Sequence, residues 1–123
     1  MTKPLALFAR ARSFGFAFRG VWLTLRSQPN AWIHAVATIG VVVAGVAVGL
    51  SCAEWCLVVL ASAAVWTAEA LNTALEFLAD AVSRETHPLI GQAKDVAAGA
   101  VLITAGGALA VGALVFLPHF TTK

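Results

Sequence analysis

The chain has 123 residues, of which 60% are hydrophobic and 11% charged, with a net charge of +2 and a mean hydropathy of +0.88. Soluble domains carry about 25% charged residues, so this balance excludes an ordinary soluble domain and describes an all-α integral membrane protein. A net charge this small offers no electrostatic footprint for nucleic acid.

Met1 to Phe8 lacks the long apolar core and small-residue cleavage site of a secretory signal. From about residue 5 to residue 28, Phe8, Phe14, Phe16, Phe18, Trp22 and Leu25 alternate with Arg10, Arg12, Arg19 and Arg26. That mixture predicts an amphipathic helix lying in the membrane interface; the alternative is a disordered basic tail. Pro29 ends this helix and lets Asn30 begin the first span. Three spans are expected, over about 32–50, 55–78 and 96–117, each near the 20 residues that cross a ~30 Å hydrocarbon core. Gly49, Ser51 and Glu54 bracket a tight turn between the first two. Cys52 and Cys56, beside that turn and without His partners, suit neither zinc nor a disulfide framework and read as small apolar residues. A polar loop over about 82–95 separates the second span from the third. The third span is rich in Ala and Gly at four-residue spacing, which permits close helix approach in lipid. Residues 1–123 form one membrane domain.

Basic residues set the expected orientation. Lys3, Arg10, Arg12, Arg19 and Arg26 precede the first span, Arg84 and Lys94 flank the second loop, and the first loop has no Lys or Arg. The N-terminus and second loop are therefore expected in the cytoplasm, and Pro118 to Lys123 outside.

The second span carries an anomaly. Glu69, Asn72, Glu76 and Asp80 fall within about 80° of one another around a helix. A carboxylate at membrane depth costs on the order of 3 kcal/mol, so three on one stripe call for a polar partner. With little interior available in three spans, oligomerisation is the simplest shield for Glu69 and Glu76. Glu76 and Asp80 can offer oxygen ligands to a hard divalent cation, and Asn72 can orient a ligand. Glu69, deeper and partly desolvated, suits a general base. Lys94 and Asp95 are expected to open the third helix, whose N-terminus favours anions. Each has a plainer reading: Glu76 and Asp80 as a solvated helix end, Asp95 as an N-cap, Lys94 as a snorkelling anchor, His34 and His119 as packed or interfacial residues, His87 as a turn residue. Glu69 is too deep to snorkel cheaply. Together these groups are the parts of a phosphoryl transferase acting on a lipid hydroxyl. There is no GxxxxGK[ST] loop.

The run Glu69-Ala70-Leu71-Asn72-Thr73-Ala74-Leu75-Glu76, then Asp80, then Ala93-Lys94-Asp95-Val96-Ala97-Ala98-Gly99-Ala100-Val101, resembles the signature of the small bacterial diacylglycerol and undecaprenol kinases. The resemblance covers nearly the whole chain. It implies a homotrimer in the bacterial inner membrane that uses ATP and Mg²⁺ to phosphorylate a membrane lipid alcohol, supporting phospholipid or lipid-carrier recycling. It implies Glu69 as catalytic base and Glu76 as metal ligand, with Asn72, Glu76, Asp80, Glu85, His87, Lys94 and Asp95 at the nucleotide and Glu69 and Gly99 at the lipid. The best-known relative has a second metal-binding glutamate where this chain has Gln28, and an Arg and a Tyr where it has Ala9 and Phe16; Arg10 and Arg12 are the available substitutes. Asn30-Ala31-Trp32-Ile33-His34, His87-Pro88-Leu89 and Phe116-Leu117-Pro118 resemble the undecaprenol kinase branch. A second reading is a small oligomeric transporter coupled to protons, which would place its key acid near the midplane with access from both sides. A third, a non-catalytic interaction subunit, leaves Glu69 unexplained.

Overall fold

The computed structural model describes residues 3–82 and 85–121. Arg84, used above for orientation, lies outside them, as do Ser83, Thr122 and Lys123, and the side chain of Lys3 is likewise not described. The described residues form four helices: α1 (Lys3–Ser27), α2 (Pro29–Val48), α3 (Cys52–Val82) and α4 (Pro88–Thr121). The last three are long and apolar enough to cross a membrane. The protein is an all-α membrane protein with one N-terminal helix preceding three spanning ones.

Local chemistry explains the breaks. The proline ring at Pro29 disfavours a helical residue before it, so Gln28 is extended (φ −118°, ψ 120°) between α1 and α2. Pro29 then opens α2 at a position where its missing N–H costs nothing. At the other end of α2, Gly49 takes a left-handed conformation (φ 73°) and its N–H donates to the Gly45 carbonyl. Ser51 and Glu54 cap α3 reciprocally: the Ser51 N–H donates to Glu54 Oε1 (3.0 Å), and the Glu54 N–H donates to Ser51 Oγ (3.2 Å).

The lower boundary of α4 differs from expectation. Lys94 and Asp95 do not open the helix; they stand on its second turn, because α4 begins at Pro88. The Leu89 N–H donates to His87 Nδ1 (3.1 Å), which replaces an N-cap side chain, so Asp95 is no N-cap. At 1.5 Å per residue, the 31 residues of α3 and the 34 of α4 reach about 46 and 51 Å. Both exceed a ~30 Å hydrocarbon core, which lets their polar ends stand clear of it.

α3 and α4 pack along their lengths. At the turn end, Leu50, Val58 and Val115 are buried with Trp55, Val111 and Phe116 against them. Gly45 passes directly beneath Trp55: a Cβ there would lie 2.6 Å from its ring. On the same end His119 Nε2 lies 2.7 Å from Glu54 Oε2, joining the last turn of α4 to the first of α3. Cys52 and Cys56 are exposed rather than packed within the chain. Towards the other end the buried face of α3 changes character, from Val58 and Val65 to Glu69, Asn72 and Thr73.

Candidate active site

The acidic stripe of α3 is met by the α1–α2 junction, by α2 and by α4. Because Gln28 is extended, its side chain leaves the helical path and its amide donates to the Glu76 carboxylate. Six residues further along α2, and seven back along α3, His34 Nε2 lies 3.3 Å from Glu69 Oε2. Deeper again, the Trp66 indole N–H donates to Thr38 Oγ1 (3.0 Å). Residue numbers rise on α2 as they fall on α3, so the three contacts form an antiparallel polar ladder. It reaches about 15 Å into the bundle from Gln28.

Glu69 is only 1% exposed. Within one chain it is already covered, with His34 of α2 against it, so hiding Glu69 does not by itself call for a neighbouring subunit. Asn72 and Thr73 are also buried, and the Thr73 hydroxyl donates to the Glu69 carbonyl (2.9 Å). Both Glu69 carboxylate oxygens, His34 Nε2 and Asn72 Oδ1 lack a regular hydrogen bond to any described residue. His34 and Glu69 are thus within ion-pairing reach without hydrogen-bond geometry. Buried polar groups without partners are rare in folded proteins and mark places where something else binds or a proton moves.

A second group gathers where α3 ends and α4 begins. Lys94 Nζ lies 3.4 Å from Asp80 Oδ1, both partly solvated. Asp80, Glu85, Thr86, His87, Gly91 and Lys94 line a polar cleft of about 610 Å³. Four of the residues expected at the nucleotide are therefore brought together: Asp80, Glu85, His87 and Lys94. Three are not in this cleft. Glu76 is half-buried and turned to Gln28. Asn72 faces an apolar groove between α3 and α4, about 1010 Å³, lined by Leu60, Ala64, Leu71, Val96 and Ala100. Asp95 is exposed on α4. Gly99 is half-buried, and a Cβ there would meet nothing within 4 Å. Arg10 and Arg12 are exposed on α1. Among the described residues no group of three His, Cys, Asp or Glu side chains is placed to hold a metal ion.

The sequence singles out Gln28 as a neutral amide standing where a relative has a metal-binding glutamate, but not its contact with Glu76, and His34 reads there as a packed or interfacial residue. A signal for His34 existed: an imidazole on the first span at the depth of Glu69 on the second, once the two helices are set antiparallel.

The arrangement supplies a sequestered carboxylate with unpaired oxygens, a second carboxylate one helical repeat away, and beyond it a cleft that carries Lys94 beside Asp80 and Glu85. Such a set can combine a base with a lysine-bearing cleft at a membrane boundary. Residues 15–116 match the family model described as prokaryotic diacylglycerol kinase. The chain is 41% identical over 107 residues to the undecaprenol kinase of Bacillus subtilis, covering 87% of each protein. It is 38% identical over 107 residues to a diacylglycerol kinase of Synechocystis sp., covering 86% of this chain but 61% of that longer protein.

Proposed function

We propose a specific reaction for this chain, which belongs to the prokaryotic diacylglycerol kinase family and is therefore a lipid kinase: transfer of the γ-phosphate of ATP to the hydroxyl of undecaprenol, in preference to diacylglycerol. The family match supports kinase chemistry and leaves the transporter reading without support. The single observation that carries the site assignment is the Glu69 carboxylate, buried with both oxygens unpaired, next along α3 to Glu76 and the Asp80–Lys94 pair.

In this reading Glu69 takes the proton of the acceptor hydroxyl. Its burial keeps water from competing for the phosphoryl group. Asn72, one turn along α3, orients the acceptor where the apolar groove ends, and that groove together with the open face of Gly99 accommodates an apolar chain. Lys94, held by Asp80, neutralises the nucleotide phosphates in the polar cleft, with Glu85 and His87 on its walls. Asp95, exposed on α4 and not among the residues lining that cleft, is assigned to a nucleotide shared across a subunit boundary. The donor set fits Mg²⁺, which is commonly held by one or two carboxylates plus substrate phosphates. Glu76 would be its carboxylate, with the Gln28 amide alongside. When bound, Mg²⁺ offsets negative charge on the transferring phosphate.

A homotrimer is proposed on the strength of the wide apolar exposure of α2 and α4 and the open glycines Gly99, Gly106 and Gly112 of α4. The proposed setting is the bacterial inner membrane, with α1 and the α3–α4 loop cytoplasmic and the α4 end outside. Arg10, Arg12, Arg19, Arg26 and Lys94 support it, since the α2–α3 turn carries no basic residue.

Undecaprenol is preferred because the relative that matches along most of both lengths is named for it. The test offers both lipids in one vesicle with labelled ATP and Mg²⁺. Undecaprenyl phosphate in excess supports the assignment; a predominance of phosphatidic acid overturns it.

A further inference from the structure

We propose that His34 is a positioning residue for Glu69, its imidazole Nε2 set beside the carboxylate so that the carboxylate keeps the orientation that receives the acceptor proton. The inference rests on the reading of Glu69 as base, and adds to it a group on a different helix. His34 Nε2 lies 3.3 Å from Glu69 Oε2, with the two side chains 16% and 1% exposed. Neither atom is hydrogen-bonded to any described residue, so each is buried facing the other with its hydrogen-bonding capacity unused.

His34 is itself held from two sides. Its ring meets the Trp66 indole edge-on, with centroids 6.3 Å apart at 69°. The Trp66 N–H donates to Thr38 Oγ1 (3.0 Å), and the Thr38 hydroxyl donates back to the His34 carbonyl (2.6 Å). This closed circuit links α2 to α3 immediately below the base and limits rotation of the imidazole. A base oriented by a neighbouring third group is the recurring arrangement of activated proton acceptors.

Stability alone does not call for this pair. Two polar groups taken out of water repay their desolvation only with good hydrogen bonds, and an apolar pair of similar volume commonly does as well or better. A histidine kept for packing would be replaceable by leucine. A histidine kept to direct the carboxylate would not be, and only a side chain with an N–H donor at similar reach would serve. The two roles therefore predict opposite orders for His34→Leu and His34→Gln.

The experiment measures kcat, the KM values for ATP and acceptor, and thermal unfolding for the full-length protein in lipid, as parent, His34→Leu, His34→Gln and Glu69→Gln. The expected result is a loss of at least about tenfold in kcat for His34→Leu, with the KM for ATP within about twofold and unfolding unchanged or raised. His34→Gln recovers most of the parent rate. A His34→Leu variant within about twofold of parent kcat, or equal losses for Leu and Gln, overturns the positioning role. Glu69→Gln separates the two layers: if it remains as active as the parent, the base assignment itself fails. If it is inactive while His34→Leu is fully active, only the positioning role fails. Imidazole ¹⁵N shifts of His34 in the unaltered chain and in Glu69→Gln supply a readout independent of folding of the His34 variants. A shift change on removing the carboxylate's charge is expected, and identical shifts overturn the contact.

Discussion

Gln28 stands against Glu76 through its amide, so Gln28→Glu replaces a donor with a second carboxylate at the same place. Two unit charges about 4 Å apart at an effective dielectric near 20 repel by about 4 kcal/mol. A divalent cation removes the penalty and gains a ligand. In EDTA the variant should therefore unfold on the order of 10 °C below the parent, and Mg²⁺ should return most of that loss. The Mg²⁺ concentration giving half-maximal lipid phosphorylation should fall by about tenfold or more, since each 1.4 kcal/mol of tighter binding is a factor of ten. Thermal unfolding in detergent with and without Mg²⁺, followed by a Mg²⁺ titration of activity, reads both. A variant with unchanged stability in EDTA and unchanged Mg²⁺ demand would refute the placement of the metal site at Glu76.

Lys94→Ala removes a cation from the polar cleft and should raise the KM for ATP about tenfold, while unfolding changes little because exposed ion pairs contribute only about 0–1 kcal/mol. Gly45→Ala places a methyl group 2.6 Å from the Trp55 ring and should cost about 1–3 kcal/mol in unfolding experiments; the double change with Trp55→Leu should recover part of it. Gly49→Ala forces a side chain into a left-handed position and should cost about 1 kcal/mol, read in the same experiment, without altering KM for ATP.

The spans and the acidic stripe were legible because hydropathy and helical periodicity are local properties of the chain. Asp80 and Lys94 were also legible as a site, since they sit at opposite ends of one short connection. His34 was not, because its meaning depends on the register of α2 against α3, which packing sets and no local pattern records. The same holds for the shielding of Glu69: counting spans suggested too little interior, whereas the helices of one chain already bury it. The start of α4 was misjudged for a different reason. Gln92, Lys94 and Asp95 are polar enough to read as loop, but they lie on a helix that projects past the hydrocarbon, and Pro88 was the signal for its first turn. Ser51 and Glu54 had the spacing of a capping box, although the further contact of Glu54 with His119 depends on α3 and α4 lying side by side.

The most direct measurement of the whole account is the transfer of ³²P from γ-labelled ATP into the lipid-extractable fraction, with Mg²⁺ and undecaprenol, by the parent protein and by Glu69→Gln at matched folded content. The account predicts labelled undecaprenyl phosphate from the parent and a loss of at least about 10²-fold in Glu69→Gln, with the variant no less stable than the parent. Equal label from both proteins, or none from the parent with any lipid alcohol, would contradict it.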